Sequence, residues 1–112
     1  MPGILNTHVV CTPCRSAFKR PLRAAPARCA FCGGDMIDAG PQLAVPGRRD
    51  TDGWRALAVV LSAGVRFPAV GCEAEGPGYR PRTMREVQER VSVAERTGRS
   101  LAEVLTDPDP WS

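Results

Sequence analysis

Apolar side chains recur at helical spacing in the middle of the chain, where Trp54, Leu57, Ala58 and Leu61 fall within about 100° on a helical wheel. Asp50 or Thr51 stands where a cap is needed, and Gly64 stands where such a helix would end. A second stripe, Met84, Val87, Val91 and Ala94, follows Thr83 and Glu86, whose spacing is that of a capping box, and runs to Gly98. Glu86 and Arg90 lie four apart on its predicted wet side. Ser100 with Glu103 repeats the capping signal and predicts a helix of one to two turns, Leu101 to Leu105, closed by Pro108. Trp111 follows in the tail, to dock on these helices or to fray.

The front of the chain has a different rhythm. His8 to Val10 is strand-like and leads into Cys11, Thr12, Pro13 and Cys14, with Arg15 to Arg20 as the returning arm of a hairpin. Ala27 and Arg28 enter a second such turn, Cys29 to Cys32, after which Gly33 and Gly34 let Asp35 to Ala39 leave as a strand. Glycine suits that position because backbone amides must fold over a sulfur, and the turn wants positive φ; the first turn carries Arg15 there instead. Residues 65–81 are rich in glycine and proline and predict an irregular loop, with one short strand at Val65 to Phe67. The expected fold is therefore small α+β: β-hairpins over 1–40, a Pro/Gly connector over 41–49, and two to three helices over 50–112.

Composition limits the core. The chain has 112 residues, 43% of them hydrophobic, but only 5% aromatic, with 11 glycines and 11 prolines. Segments below about 40 residues rarely fold on apolar burial alone, and the front end is of that size. Only Phe18, Leu22, Phe31, Met36 and Ile37 are available there for packing. Something besides burial has to hold it.

The cysteines supply that something. Cys11 with Cys14 and Cys29 with Cys32 form two CxxC pairs, with 14 residues between the pairs, the spacing of a four-thiolate zinc site. A two-residue gap lets one tight turn aim both sulfurs at one metal, and two facing turns complete a tetrahedron. A thioredoxin-type redox pair wants a helix start within a βαβ pattern, and rubredoxin-type iron uses the same ligands over a longer separation, so Zn2+ is preferred to redox, disulfide or iron readings. Four thiolates leave no open coordination position, which makes the metal structural. His8, three residues before Cys11, is an exposed strand residue, a donor to a thiolate, or a substitute ligand. Cys72 stands beside Glu73 and Glu75, carboxylates that raise a thiol's pKa, and reads as an ordinary free cysteine, with a catalytic role placed last.

Charge is uneven. From Met1 to Gly34 there are five basic residues, Arg15, Lys19, Arg20, Arg23 and Arg28, and no acidic one, in a chain of net charge +3. A zinc tetrathiolate of formal charge −2 lowers the front end to about +3 and the chain to about +1. Arg48, Arg49, Trp54 and Arg55, and Tyr79, Arg80, Arg82 and Arg85, mix guanidinium with aromatic groups as a phosphate-and-stacking surface does. The competing reading makes Trp54 core and pairs the arginines with Asp50, Asp52, Glu86 and Glu89. No glycine-rich phosphate loop and no partnered nucleophile is present, so an enzyme and a small-molecule substrate are not expected. Met1 to Val10 lacks the features of a secretion signal, and the longest apolar run, Ala56 to Leu61, is too short to span a bilayer, which points to a cytoplasmic protein without a membrane partner.

The front third, with its four cysteines, resembles the zinc-ribbon or zinc-knuckle group. The runs GRRDTDGWRALAVVLSAGVRF (Gly47 to Phe67) and GPGYRPRTMREV (Gly76 to Val87) are similar to small actinobacterial zinc-ribbon proteins. The resemblance implies an N-terminal four-cysteine zinc ribbon and, as zinc ribbons serve transcription, translation and assembly complexes, a partner that is nucleic acid or a nucleoprotein complex. Arg15, Lys19, Arg20, Arg48, Arg49, Arg80 and Arg82 are the candidate contacts. The alternative is a protein–protein adaptor in which the ribbon is a staple and the helices form the binding face.

Overall fold

The computed structural model describes residues 6–21, 28–68 and 78–111. Three strands, β1 (Asn6–Cys11), β2 (Ser16–Pro21) and β3 (Ile37–Gly40), precede three helices, α1 (Thr51–Ser62), α2 (Met84–Thr97) and α3 (Leu101–Leu105). The strands form one antiparallel sheet of order β2-β1-β3. The small α+β fold and its early hairpin are as the sequence pattern predicts. Cys72 and Leu22 lie outside the described residues.

β1 is the central strand, which explains its continuous apolar run. Val9, Val10 and Cys11 are all buried, so both faces of the strand are covered, as an uninterrupted rather than alternating pattern requires. Val10 enters the main core with Ala39, Trp54, Leu57, Val60, Val87 and Leu105. By alternation Thr7, Val9 and Cys11 face the other side, where the Thr7 hydroxyl donates to the Asp38 carboxylate. The core thus draws on the sheet and on the helices, and the connector contributes to it through buried Leu43.

α1 starts where Asp50 accepts from the Gly53 amide at 2.9 Å. Its inner face carries Trp54, Ala56, Leu57, Val60 and Leu61, and the Trp54 indole donates to the Gly47 carbonyl at 3.0 Å. At the other end Arg66 Nη1 donates to the Leu61 carbonyl in the last turn at 2.9 Å and to the Val65 carbonyl just beyond the helix at 3.0 Å, adding a side-chain bond to the backbone bond the Leu61 carbonyl takes from Gly64. Asp52, in the first turn, accepts from the Met84 amide at 3.0 Å and so ties the start of α1 to the start of α2.

Thr83 caps α2 through the Glu86 amide, with the Glu86 carboxylate returning to the Thr83 hydroxyl and the Arg82 amide. Gly98, at φ +73°, ends the helix. Ser100 caps α3 through the Glu103 amide at 3.2 Å. Residues Val65 to Phe67 belong to no strand, yet they run against the end of β3: the Phe67 amide donates to Ala39 and the Gln42 amide to Phe67.

The buried face of α2 differs from the expected stripe. Val87, Arg90 and Val93 are its buried residues, while Met84, Val91 and Ala94 are half-buried. The helix is covered from two directions, by α1 and by α3 with the segments carrying Tyr79 and Trp111, so the covered arc is wider than a stripe read from apolar residues alone. Arg90 is only 3% exposed and makes no surface pair with Glu86. Its guanidinium lies between the Tyr79 ring, 4.0 Å from the centroid, and the Trp111 ring, 5.0 Å away, and Nη2 donates to the Asp107 carbonyl at 3.3 Å. Glu86 is instead engaged by the Tyr79 hydroxyl. Burial and that hydrogen bond push the Tyr79 hydroxyl's pKa upward.

The Arg90 stack predicts a measurable effect. Arg90→Ala removes a buried guanidinium with its two cation–π contacts and leaves a cavity, and is expected to cost about 2–4 kcal/mol. Arg90→Lys should not rescue it, because a point charge cannot stack between two rings as a planar guanidinium does. Thermal unfolding of the two variants beside the native chain checks both.

Candidate metal centre

Cys11 is the last residue of β1 and Cys14 lies in the turn that joins it to β2. That turn closes with an Arg15 amide to Thr12 carbonyl bond of 3.3 Å. Arg15 sits at φ +52°, the one described non-glycine residue with positive φ. The need for a left-handed residue after the second cysteine is therefore met in both turns, by Arg15 at some strain and by Gly33 at φ +73° without it.

The second turn is built of amides aimed at sulfur. The Phe31 amide donates to Cys29 Sγ and the Gly34 amide to Cys32 Sγ, each at 3.4 Å. The loop is closed by Gly33 N–H to Cys29 carbonyl and Cys29 N–H to Gly34 carbonyl bonds of 2.8 Å, and Arg28 bridges to Asp35 at its base. Ser16, which faces Cys11 across the hairpin, brings its hydroxyl to 3.8 Å from Cys29 Sγ. Sequence spacing alone did not single out Ser16; only the hairpin register reveals it.

All four sulfurs lie within 4.8 Å of one another, and Cys11 Sγ is 3.7 Å from Cys32 Sγ. None is in a disulfide, which would need a sulfur separation of about 2.05 Å. Metal–sulfur bonds of about 2.3 Å at tetrahedral angles require sulfurs about 3.8 Å apart. The cluster can hold a metal ion with little movement. Cys11 and Cys29 are buried, Cys14 is half-buried and Cys32 is exposed, so the cluster sits at the end of the sheet with one side toward solvent.

The thiols titrate unequally. Cys29 is lowered to about 6, chiefly because the Cys32 and Phe31 amides point at its sulfur. Cys11 is raised, chiefly by burial. Cys14 is pushed up to about 12, first by the Cys32 sulfur and then by that of Cys11. Four crowded thiols cannot all ionise together unless a cation neutralises them, which is the chemistry of a metal-binding donor set.

The remaining residues singled out by sequence take varied places. His8 Nδ1 lies 3.3 Å from the Gly40 carbonyl and its ring contributes nothing to the sulfur cluster. Phe18 and Phe31, expected to pack about the metal, are 45% and 67% exposed, while Ile37 packs against the main core. The reason for Phe18 is position: β2 is an edge strand. Arg80 is held inward, with Nε and Nη2 donating to the Arg66 carbonyl at 3.0 and 2.8 Å and the guanidinium over the Phe67 ring. Lys19, Arg48, Arg49 and Arg82 are exposed, and Arg15 and Arg20 are half-buried. Of the expected ion pairs with Asp50, Asp52, Glu86 and Glu89, only Arg85 with Glu89 forms among the described residues. Asp50 and Asp52 are engaged at helix starts, and among the described residues Arg15, Lys19, Arg20, Arg48, Arg49, Arg55 and Arg82 have no carboxylate partner.

No described helix is long and apolar enough to cross a membrane. Comparison with known protein families, with curated proteins and with solved structures finds no match to this chain. Fold and site together define a small α+β protein with a four-cysteine cluster fit for a metal ion.

Proposed function

We propose that Cys11, Cys14, Cys29 and Cys32 hold one structural Zn2+ and that the protein, working in the reducing cytoplasm, docks on nucleic acid or a nucleoprotein complex through its basic ribbon. The observation that carries the metal half is the grouping of four unbridged sulfurs within 4.8 Å of one another. The docking half is supported by what surrounds the cluster: basic side chains without carboxylate partners and two exposed aromatic rings, Phe18 and Phe31. Guanidinium pairs with phosphate and an exposed ring accepts a base, so the set suits a nucleic acid. With all four coordination positions filled by protein the ion does no chemistry, and its role is to hold the loops.

The test is binding of a labelled oligonucleotide by the zinc-loaded chain as salt is raised. Affinity is expected to fall steeply with salt, and absence of binding at low salt refutes the docking half. One observation favours the adaptor as second reading: a shallow apolar hollow of about 300 Å³ between α1 and α3, lined by Ala58, Val59, Ala63 and Leu101. Under that reading Val59→Asp abolishes partner binding and leaves metal content unchanged.

A further inference from the structure

A cleft of about 290 Å³ separates the first cysteine turn from α1, with Thr12, Pro13 and Arg15 on one wall and Thr51, Trp54 and Arg55 on the other. It is open to solvent, and it is where the metal-held loop meets the helical unit. Among the described residues neither Arg15 nor Arg55 makes an ion pair, and the guanidinium groups of both and the hydroxyls of Thr12 and Thr51 have no hydrogen-bond partner. Four polar groups, two of them cationic, thus line one hollow, and no partner among the described residues satisfies them.

Arg15 adds a second, independent observation. It occupies a left-handed position, φ +52°, where the equivalent place in the other turn is Gly33 at φ +73°. The chain keeps a long cationic side chain at a site where glycine removes the strain, and strain of this kind concentrates where a side chain has a task. That side chain lines the cleft.

Resting on the nucleic-acid reading above, the geometry points to this cleft as the site that grips a backbone phosphate of single-stranded nucleic acid, with Arg15 and Arg55 as the two prongs. A phosphodiester accepts paired N–H bonds from a guanidinium and hydrogen bonds from the two threonine hydroxyls. The occupant is a polymer rather than a free anion because the cleft is open and further exposed cations, Arg48 and Arg49, precede Thr51 of its far wall by only two to three residues in the chain. Phe31, in the turn whose Cys32 sulfur lies 3.7 Å from that of Cys11, stands exposed nearby as a stacking platform for a base. Contacts of this kind read the backbone and are indifferent to sequence.

The test uses the full zinc-loaded chain, a labelled single-stranded RNA of mixed sequence and fluorescence anisotropy over a salt series. Arg15→Gly relieves backbone strain, so its melting temperature should rise by about 3–6 °C while its RNA affinity falls about tenfold. Arg55→Gln should melt as the native protein does, with a similar loss of affinity. Each should lower the slope of log affinity against log salt by about 0.7, as expected for one lost phosphate contact to a single strand. If Arg15→Gly and Arg55→Gln bind RNA as well as the native chain, the cleft assignment is overturned and the nucleic-acid reading survives. If the native chain binds no RNA at low salt, both fall together. If millimolar inorganic phosphate displaces RNA completely, the site takes small anions and the polymer assignment is overturned.

Discussion

Cys11→Ser is expected to strip the protein of its metal and to melt its sheet. Zinc binding at a structural site supplies about 10–16 kcal/mol that is coupled to folding, and the front end has few other resources, since Phe18 and Phe31 are turned outward. Cys11 ends the central strand and is buried, so serine there loses a ligand and also leaves a hydroxyl without a partner. Cys32 is exposed, and Cys32→Ser should lose the metal with a smaller penalty beyond that loss. Hydrogen exchange resolves the consequence by region. Amides of β1, β2 and β3 should lose protection first, followed by those of α1, because Val10 and Ala39 of the sheet share its core. A chelator should reproduce the pattern in the native chain, and so should acid: the metal-bound state holds fewer protons than the metal-free one, so its stability rises with pH and is lost as pH falls and the thiolates are reprotonated.

The second large effect lies away from the metal. Gly40→Ala is expected to cost on the order of 3–5 kcal/mol, lowering the melting temperature by 10 °C or more. Gly40 has φ +110°, and a methyl group there would lie 2.4 Å from the Phe67 carbonyl oxygen and 2.7 Å from its carbon. Those are backbone atoms held in place by the Phe67 amide to Ala39 and the Gln42 amide to Phe67. Relieving the clash means breaking the hydrogen bonds by which the segment after α1 returns to the sheet. Gly47→Ala is the control, since its added methyl meets nothing within 4 Å and its φ needs no glycine; it should be neutral or slightly stabilising. Equal melting temperatures for the two variants would contradict this description of the junction.

Much of the architecture was legible because it depends on local chemistry. Asp50, Thr83 and Ser100 each stand at a helix start and accept an amide as their spacing implies. The two CxxC turns likewise announce themselves, because the constraint that brings two sulfurs to one point acts over four residues. What the sequence concealed depends on contacts between distant segments. Arg90 reads as a wet helix residue until Tyr79 and Trp111 close over it. Phe18 reads as packing for the metal until the sheet order leaves β2 at an edge. Arg80 reads as a free cation until its guanidinium meets the Arg66 carbonyl. Gly40 reads as an ordinary glycine at the border of the hairpins and the connector, and only the return of Phe67 makes it indispensable.

The cleft between the first cysteine turn and α1 follows the same logic. Thr12, Arg15, Thr51 and Arg55 are unremarkable in sequence, and they line one cleft because the first cysteine turn follows β1, whose Val10 shares a core with α1. The metal would thus act at a distance, by fixing a loop whose side chains do the binding. Native mass spectrometry of the chain, purified under reducing conditions and compared before and after denaturation, tests that account at its root. One zinc ion per chain, lost on denaturation with four thiols becoming open to alkylation, is the result predicted. A metal-free native chain, or one four mass units light from two disulfides among Cys11, Cys14, Cys29 and Cys32, would contradict it.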